Sequence, residues 1–180
     1  IDMGAAFMKM NEDGSFNLLI GATDLGTGSD TIMAQIAAEV LATETEKMLV
    51  YSSDTDLTPF DVGAYASSTT YLSGQAVIKT AQKVKEQILK VAAEMLKEPP
   101  ENIKAEHSTV IGKTGKVTFS EIANYSLYTK HQHQIMAGES HFTHKSPPPF
   151  SAHFGEVEVD TLTGKVRVIK YVAAVDCGTA

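Results

Sequence analysis

The stretch SGQAVIKTAQKVKEQILKVAAEMLK, residues 73–97, decides the fold. Apolar residues recur in it every three or four positions, which predicts a long amphipathic helix with one face against a core. That stripe comprises Val77, Ala81, Val84, Ile88, Val91 or Ala92, and Met95. Pro99 and Pro100 end the helix, because proline lacks the N–H that a helix interior needs. The other face is charged and is most simply solvated surface, with Lys79, Lys83, Lys85, Glu86 and Lys90.

A second helix is predicted upstream of this one. Met33, Ile36, Ala37, Val40 and Leu41 recur at helical spacing, and Ser29 or Asp30 can cap the helix start. Residues 47–52 then predict a short strand.

Two β-hairpins flank these helices. Residues 5–10 and 15–20 pair around the turn at 11–14, and residues 152–160 and 165–175 pair around 161–164. Alternating apolar and polar residues with turn residues between them are typical of such hairpins.

The segments between the long helix and the second hairpin are less regular. Residues 102–113 and 116–119 predict two strands around Thr114-Gly115, and residues 120–124 a short helix. Residues 127–149 predict a loop with one strand. The chain is therefore expected to be one α+β domain over residues 1–180, with β-hairpins and a mixed sheet packed against two long helices.

Composition excludes several classes of function. The chain has 180 residues, 43% of them apolar, and 22 acidic against 15 basic side chains, for a net charge of −7. This balance argues against a nucleic-acid or anionic-membrane partner, since both need a basic face. No apolar run approaches the roughly 20 residues of a membrane span.

Cysteine content narrows the chemistry further. The single cysteine, Cys177, excludes a disulfide framework, an iron–sulfur cluster within this chain and a multi-cysteine zinc site. A reducing, cytoplasmic location is therefore expected. Cys177 itself is more simply a buried thiol than a nucleophile.

The first candidate site is Gly26-Thr27-Gly28, between a strand and a helix. Two glycines let the backbone turn sharply and approach a ligand, and the helix that follows offers free N–H groups to an anion. The motif is neither a Walker loop nor a complete dinucleotide fingerprint. A tight turn without a ligand explains it equally well.

The second candidate is Ala66-Ser67-Ser68-Thr69-Thr70, just before the long helix. Four consecutive hydroxyl residues are more than one helix cap requires, although a solvated capping loop remains the alternative. If the two helices pack in parallel, both polar loops lie at one place. Hydroxyls and helix-end amides there would suit a phosphate or a polar heterocycle.

Other polar clusters are weaker. His131, His133, His141 and His144 have spacings found in metal sites but lack supporting cysteine or carboxylate ligands, so no metal site is predicted. Asp54, Asp56 and Asp61 lack the glycine and terminal glutamate of a calcium loop and are interpreted as turn residues.

Four segments together resemble the molybdenum-binding subunit of the xanthine dehydrogenase and aldehyde oxidase family, in order along the whole chain. They are residues 23–31 (TDLGTGSDT) with Gln35; 54–59 (DTDLTP) with 66–70 (ASSTT) and 74–77 (GQAV); 150–160 (FSAHFGEVEVD) with 163–166 (TGKV); and 175–180 (VDCGTA). Each is weak alone, but four in order are specific.

This resemblance implies a cofactor, molybdopterin or molybdopterin cytosine dinucleotide, carrying molybdenum. It implies hydroxylation of an aldehyde or N-heterocycle with oxygen from water, and electron transfer to iron–sulfur and FAD domains or subunits.

The resemblance also implies roles for individual residues. Gly26, Thr27 and Gly28 would lie against the cofactor, although the family usually has glutamine where Thr27 stands. Ala66 would lie beside the molybdenum through its backbone, and Ser67, Ser68, Thr69 and Thr70 would hold the pterin or its phosphate. The family's catalytic glutamate lies beyond the position of Ala180, so no catalytic residue is expected here.

The chain is accordingly expected to be part of the cofactor-binding region of a larger subunit, inactive and without cofactor on its own. The missing initial methionine and the abrupt end at Ala180 favour the same interpretation. The alternative is a non-enzymatic binding or assembly module with the same fold, which Thr27 in place of glutamine favours.

Overall fold

The computed structural model describes residues 2–129, 132–145, 148 and 150–176. The chain divides into two compact units, Ile1–His144 and Lys145–Ala180. The expectation of one domain over residues 1–180 stays a prediction.

The described residues form nine strands and three α-helices. In chain order they are β1 (Asp2–Met10), β2 (Phe16–Ile20), α1 (Ser29–Leu41), β3 (Met48–Ser52), α2 (Gly74–Leu96), β4 (Lys104–Glu106), β5 (Thr109–Ile111), β6 (Lys116–Thr118), α3 (Phe119–Tyr128), β7 (Met136–Thr143), β8 (Phe150–Val159) and β9 (Val166–Asp176).

The first unit is built on a mixed four-stranded sheet in the order β3-β2-β1-β7. β1 pairs antiparallel with β2 and β7, whereas β2 and β3 are parallel and joined through α1. Parallel neighbours need such a crossover, which places α1 on one face of the sheet. The α+β class, the first hairpin and the short strand at 47–52 are confirmed.

The core lies between this sheet and the helices. Every second residue of β1 and β2 is buried, and the apolar stripe of α2 meets them. Each large apolar side chain buried here contributes about 1.5–3 kcal/mol. The fully buried members include Met8, Met10, Phe16, Leu18, Ile20, Met33, Leu41, Val77, Val84 and Ile88.

α1 and α2 run in the same direction. Gly74 at the start of α2 lies against Ile36, and Lys85 further along α2 reaches the carbonyl of Val40 near the end of α1. The two helix starts therefore lie at the same end of the unit.

α3 covers the far end of the core. It begins with a capping box in which the Thr118 hydroxyl accepts from the Glu121 N–H and the Glu121 carboxylate accepts from the Thr118 N–H. The rings of Phe119 and Phe16 meet edge to face, with centroids 5.9 Å apart. α3 is longer than the predicted 120–124.

The prediction of one strand over residues 102–113 is wrong. The segment folds into β4 and β5, joined by a tight turn at His107 and Ser108 with φ of 46° and 56°. Two left-handed residues in succession match the twist of a hairpin, so the chain reverses there. β5 then pairs with β6, and the described part of the loop predicted at 127–149 contains one strand, β7.

The second unit is the antiparallel hairpin of β8 and β9, as predicted, with a bulge between Glu156 and Val157. Asp160 shapes its turn by accepting from the N–H of Leu162 and Thr163. None of the helices in the described part of the chain has the length and apolarity of a membrane span.

Candidate functional site

The two polar loops predicted from the sequence lie around one cavity of about 380 Å³. Because α1 and α2 pack in parallel, the two polar loops lie at one place, as a joint site requires. The lining residues are Leu25, Thr27, Ser29, Ile32, Ala64, Tyr65, Ala66, Ser67, Ser68, Thr69 and Thr70. Gly26 and Gly28 flank Thr27 in the chain.

The Gly26-Thr27-Gly28 loop takes its shape from two left-handed glycines and one carboxylate. Gly26 and Gly28 have φ of 88° and 74°, values that glycine adopts without strain. One carboxylate oxygen of Asp24 accepts from the N–H groups of Gly26, Thr27 and Gly28, at 2.7, 2.9 and 3.2 Å. Those amides already have a partner and are not free to bind a ligand. Thr27 lines the cavity.

The same contacts stabilise the negative charge of the Asp24 carboxylate, which lies behind the loop that borders the cavity. Desolvation raises the pKa of Asp24, but the bonds from Gly26, Gly28 and Thr27 outweigh it and hold the pKa below the ordinary value of 3.8. Asp24 is thus ionised at neutral pH, and its charge disfavours an oxyanion beside this loop.

The predicted cap of α1 by Ser29 or Asp30 is wrong. Gly28 is the N-cap residue, and no side chain caps the helix there. Ser29 is 3% exposed, and within the described ranges its hydroxyl and one oxygen of Asp30 have no partner. The Asp24 carboxylate satisfies the loop amides just before the helix start instead.

The 66–70 loop is strained and tightly held. Ala66 and Ser67 have φ of 49° and 59°, and each such residue costs about 1–3 kcal/mol in this backbone region. Ser68 is buried, and it donates its N–H to the Tyr65 carbonyl at 2.9 Å and its hydroxyl to the Gly63 carbonyl at 3.2 Å. Ser68 therefore fastens the loop.

Four further hydroxyls of the cavity remain available. Among the described residues, those of Thr27, Ser67, Thr69 and Thr70 make no hydrogen bond. Residues 69–73 form a π-helical turn that continues into α2, so first-turn amides adjoin these hydroxyls.

Further contacts anchor this loop to the sheet. The hydroxyl of Ser73 donates to the Asp61 carboxylate at 2.5 Å, and the hydroxyl of Tyr65 donates to Asp2 at 2.9 Å. The Asp2 carboxylate raises the pKa of the Tyr65 phenol, first through that hydrogen bond. The sequence did not indicate that Leu25, Ile32 and Tyr65 form part of the cavity wall. Their closeness in the chain to the two polar loops was the only available signal.

The weaker candidates do not gather into a site. Asp54 forms a turn by accepting from the Asp56 N–H at 2.9 Å, and Asp61 anchors Ser73. The described ranges hold no group of three or more His, Cys, Asp or Glu side chains able to bind a metal. His131 and Cys177 lie outside the described residues.

The donor set suits an anionic, polar group. Among the described residues that line the cavity, none carries a charge. Hydroxyls and helix-start amides can hold a phosphate without a basic side chain, because they point partial positive charge at it.

Comparison with known proteins shows the family of the chain. Residues 2–180 match the family described as "Molybdopterin cofactor-binding domain". The chain is 39% identical over 180 residues to the probable hypoxanthine oxidase XdhD of Escherichia coli K12, covering 99% of this chain and 19% of that protein. It is 30% identical over 184 residues to the putative xanthine dehydrogenase molybdenum-binding subunit XdhA of the same strain, covering 99% of this chain and 24% of that protein.

Solved structures share the fold. Quinoline 2-oxidoreductase from Pseudomonas putida 86 superposes with a TM-score of 0.89 at 24% identity, over 99% of this chain and 24% of that chain. Reconstituted CO dehydrogenase from Oligotropha carboxidovorans gives 0.88 at 25% identity, over 98% of this chain and 23% of that chain.

The match over residues 2–180 defines the chain as a cofactor-binding domain. It belongs to the molybdopterin cofactor-binding domain family. The chain spans 19% and 24% of the length of the two curated relatives.

Proposed function

We propose that the 380 Å³ cavity holds part of the molybdenum cofactor, as molybdopterin or as molybdopterin cytosine dinucleotide. The contacts would come from Gly26, Thr27 and Gly28 on one side, and from Ala66, Ser67, Ser68, Thr69 and Thr70 on the other. The observation that carries this proposal is the convergence of both loops on one cavity with uncommitted hydroxyls.

The two loops would contribute differently. Ser67, Thr69 and Thr70 would donate to phosphate or pterin oxygens, with support from first-turn amides. Ala66 would let the ligand approach its backbone, since its side chain is a single methyl group. Thr27 would contact an uncharged part, because the Asp24 carboxylate lies behind its loop.

The whole subunit is proposed to hydroxylate an aldehyde or an N-heterocycle. When bound, the cofactor supplies the redox and oxygen-transfer chemistry. The relatives named for hypoxanthine and quinoline support a heterocyclic substrate. Iron–sulfur and FAD domains or subunits would take the electrons, in the cytoplasm, where a reduced Cys177 is stable.

The 180-residue chain alone is proposed to fold without retaining cofactor. The cavity is open, and the remainder of the large subunit would supply its other walls and the catalytic group. Stoichiometric molybdenum on the purified 180-residue chain would contradict this.

The experiment replaces Ser67 with glutamate in the full-length protein that contains this chain. Ser67 is exposed, so the fold should tolerate the change, while the added carboxylate fills the cavity and repels phosphate. We expect molybdenum per subunit, measured by elemental analysis, to fall at least tenfold. Thr45→Glu, at a half-buried position just beyond α1 and away from the cavity, should keep it. Unchanged molybdenum in Ser67→Glu would exclude this cavity as the binding site.

A further inference from the structure

We propose that Asp24 is a positioning residue for the cofactor, because its carboxylate gives the Gly26-Thr27-Gly28 loop the shape that presents Thr27 to the cavity. This inference rests on the proposed function of that cavity. Asp24 itself does not line the cavity and would act only through the loop.

The geometry is that of a single acceptor gathering three consecutive donors. Asp24 Oδ1 lies 2.7 Å from the Gly26 nitrogen, 2.9 Å from the Thr27 nitrogen and 3.2 Å from the Gly28 nitrogen. Bonds from backbone N–H to a charged carboxylate are stronger than those between neutral groups. The three amides consequently point at the carboxylate, and Thr27 lines the cavity.

Packing gives this loop little support. Residues 24–27 are exposed, and Leu25 is 65% exposed. A Cβ built at Gly26 or at Gly28 would meet nothing within 4 Å. Each glycine can also adopt right-handed backbone conformations, so the carboxylate helps to select the observed combination.

The functional consequence is preorganisation. A loop that is already ordered pays no ordering entropy when the ligand binds, whereas a free glycine loop must be ordered at that moment. Removal of the acceptor should therefore weaken ligand retention while the core, which the loop does not touch, keeps its stability.

The experiment uses three variants of the full-length, cofactor-loaded protein. Asp24→Ala removes the acceptor, and Asp24→Asn keeps an acceptor oxygen without the charge. Asp13→Ala is the matched control, because Asp13 likewise accepts from a backbone N–H and a hydroxyl, those of Ser15, in the turn at the other end of β2. The readouts are molybdenum release over time, amide hydrogen exchange of residues 24–28, and the thermal midpoint.

For Asp24→Ala we expect about tenfold faster molybdenum release, faster amide exchange in residues 24–28 and an unchanged thermal midpoint. Asp24→Asn should release molybdenum within about twofold of the parent protein, because its amide oxygen can accept the same bonds. Asp13→Ala should release it at the parent rate.

Parent-like release from Asp24→Ala would overturn the inference, and so would release from Asp24→Asn as fast as from Asp24→Ala. The Ser67→Glu variant distinguishes failure of the positioning role of Asp24 from failure of the proposed binding site. If Ser67→Glu lacks molybdenum while Asp24→Ala retains it normally, the positioning role fails and the cavity stands. If both retain it normally, the proposed site fails as well.

Discussion

The ammonium group of Lys85 on α2 donates to the backbone carbonyl of Val40 on α1 at 2.7 Å. Val40 lies in the last turn of α1, which has no basic residue of its own. Lys85 therefore satisfies a carbonyl that the helix leaves open and places a positive charge at the negative end of its dipole. This contact joins the end of α1 to the middle of α2, away from the helix starts that border the cavity.

Lys85→Met should lower the free energy of unfolding by about 1 kcal/mol, because the carbonyl and the helix dipole lose their charged partner. Chemical denaturation measures the change. Lys90→Met, exposed on the same helix, should change stability by less than about 0.5 kcal/mol. If both substitutions lowered the free energy of unfolding equally, the contact of Lys85 with α1 would not stabilise the protein.

Phe119→Ala should destabilise the first unit by about 3–5 kcal/mol, because it leaves a cavity and removes the edge-to-face contact with Phe16. Phe119 is 1% exposed, whereas Phe142 is 61% exposed. Phe142→Ala is thus the matched control and should have a small effect. Calorimetric midpoints of both variants test this, and similar losses would contradict the packing described.

Glu98 predicts part of the pH dependence of stability. Its carboxylate accepts from the Thr114 hydroxyl at 2.5 Å, from the Thr114 N–H at 2.6 Å and from the Lys113 N–H at 3.0 Å. These bonds, that of the Thr114 hydroxyl first, hold the pKa of Glu98 below its ordinary 4.5.

Because the folded pKa is depressed, this stabilisation is present above pH 4.5 and is lost as the pH falls through the lower folded value. Glu98→Gln should lower the thermal midpoint at pH 7 by about 2–4 °C. The difference should shrink at acid pH. A difference between the two proteins that stays constant from neutral to acid pH would show that ionised Glu98 does not stabilise the turn.

Gly28→Ala should destabilise the protein and reduce its molybdenum content. The methyl group has open space, so the cost is that of a left-handed backbone at φ 74°, about 1–2 kcal/mol. Gly115→Ala is the control, because a Cβ there lies 3.8 Å from Leu96, an ordinary contact. Unfolding and elemental analysis of both variants in the full-length protein test this; a stable, fully loaded Gly28→Ala would show that the loop adopts another backbone.

Local patterns were sufficient where one physical cause dominates. The period of the stripe from Val77 to Ile88 predicted α2, because a single helix face is buried. Alternation predicted the hairpins in the same way. The turn at His107 and Ser108 escaped prediction, because neither residue is the glycine or asparagine that usually marks two left-handed positions.

The start of α1 shows a second limit. Ser29 and Asp30 are good capping residues by type, yet the cap position falls on Gly28. Asp24, four residues before Gly28, takes the loop amides, and a contact of that kind depends on the loop conformation. The sequence contains Asp24 but gives no signal that its carboxylate accepts hydrogen bonds from the amides of the residues that follow it.

The sequence by itself determined the α+β class, the two long helices and the two polar loops, because periodicity and turn chemistry act over a few residues. It also determined the family resemblance, through four segments in order. Only the tertiary structure decided that residues 27 and 67–70 line one cavity. That outcome depends on the parallel packing of α1 and α2, which contacts between distant residues such as Val40 and Lys85 hold in place.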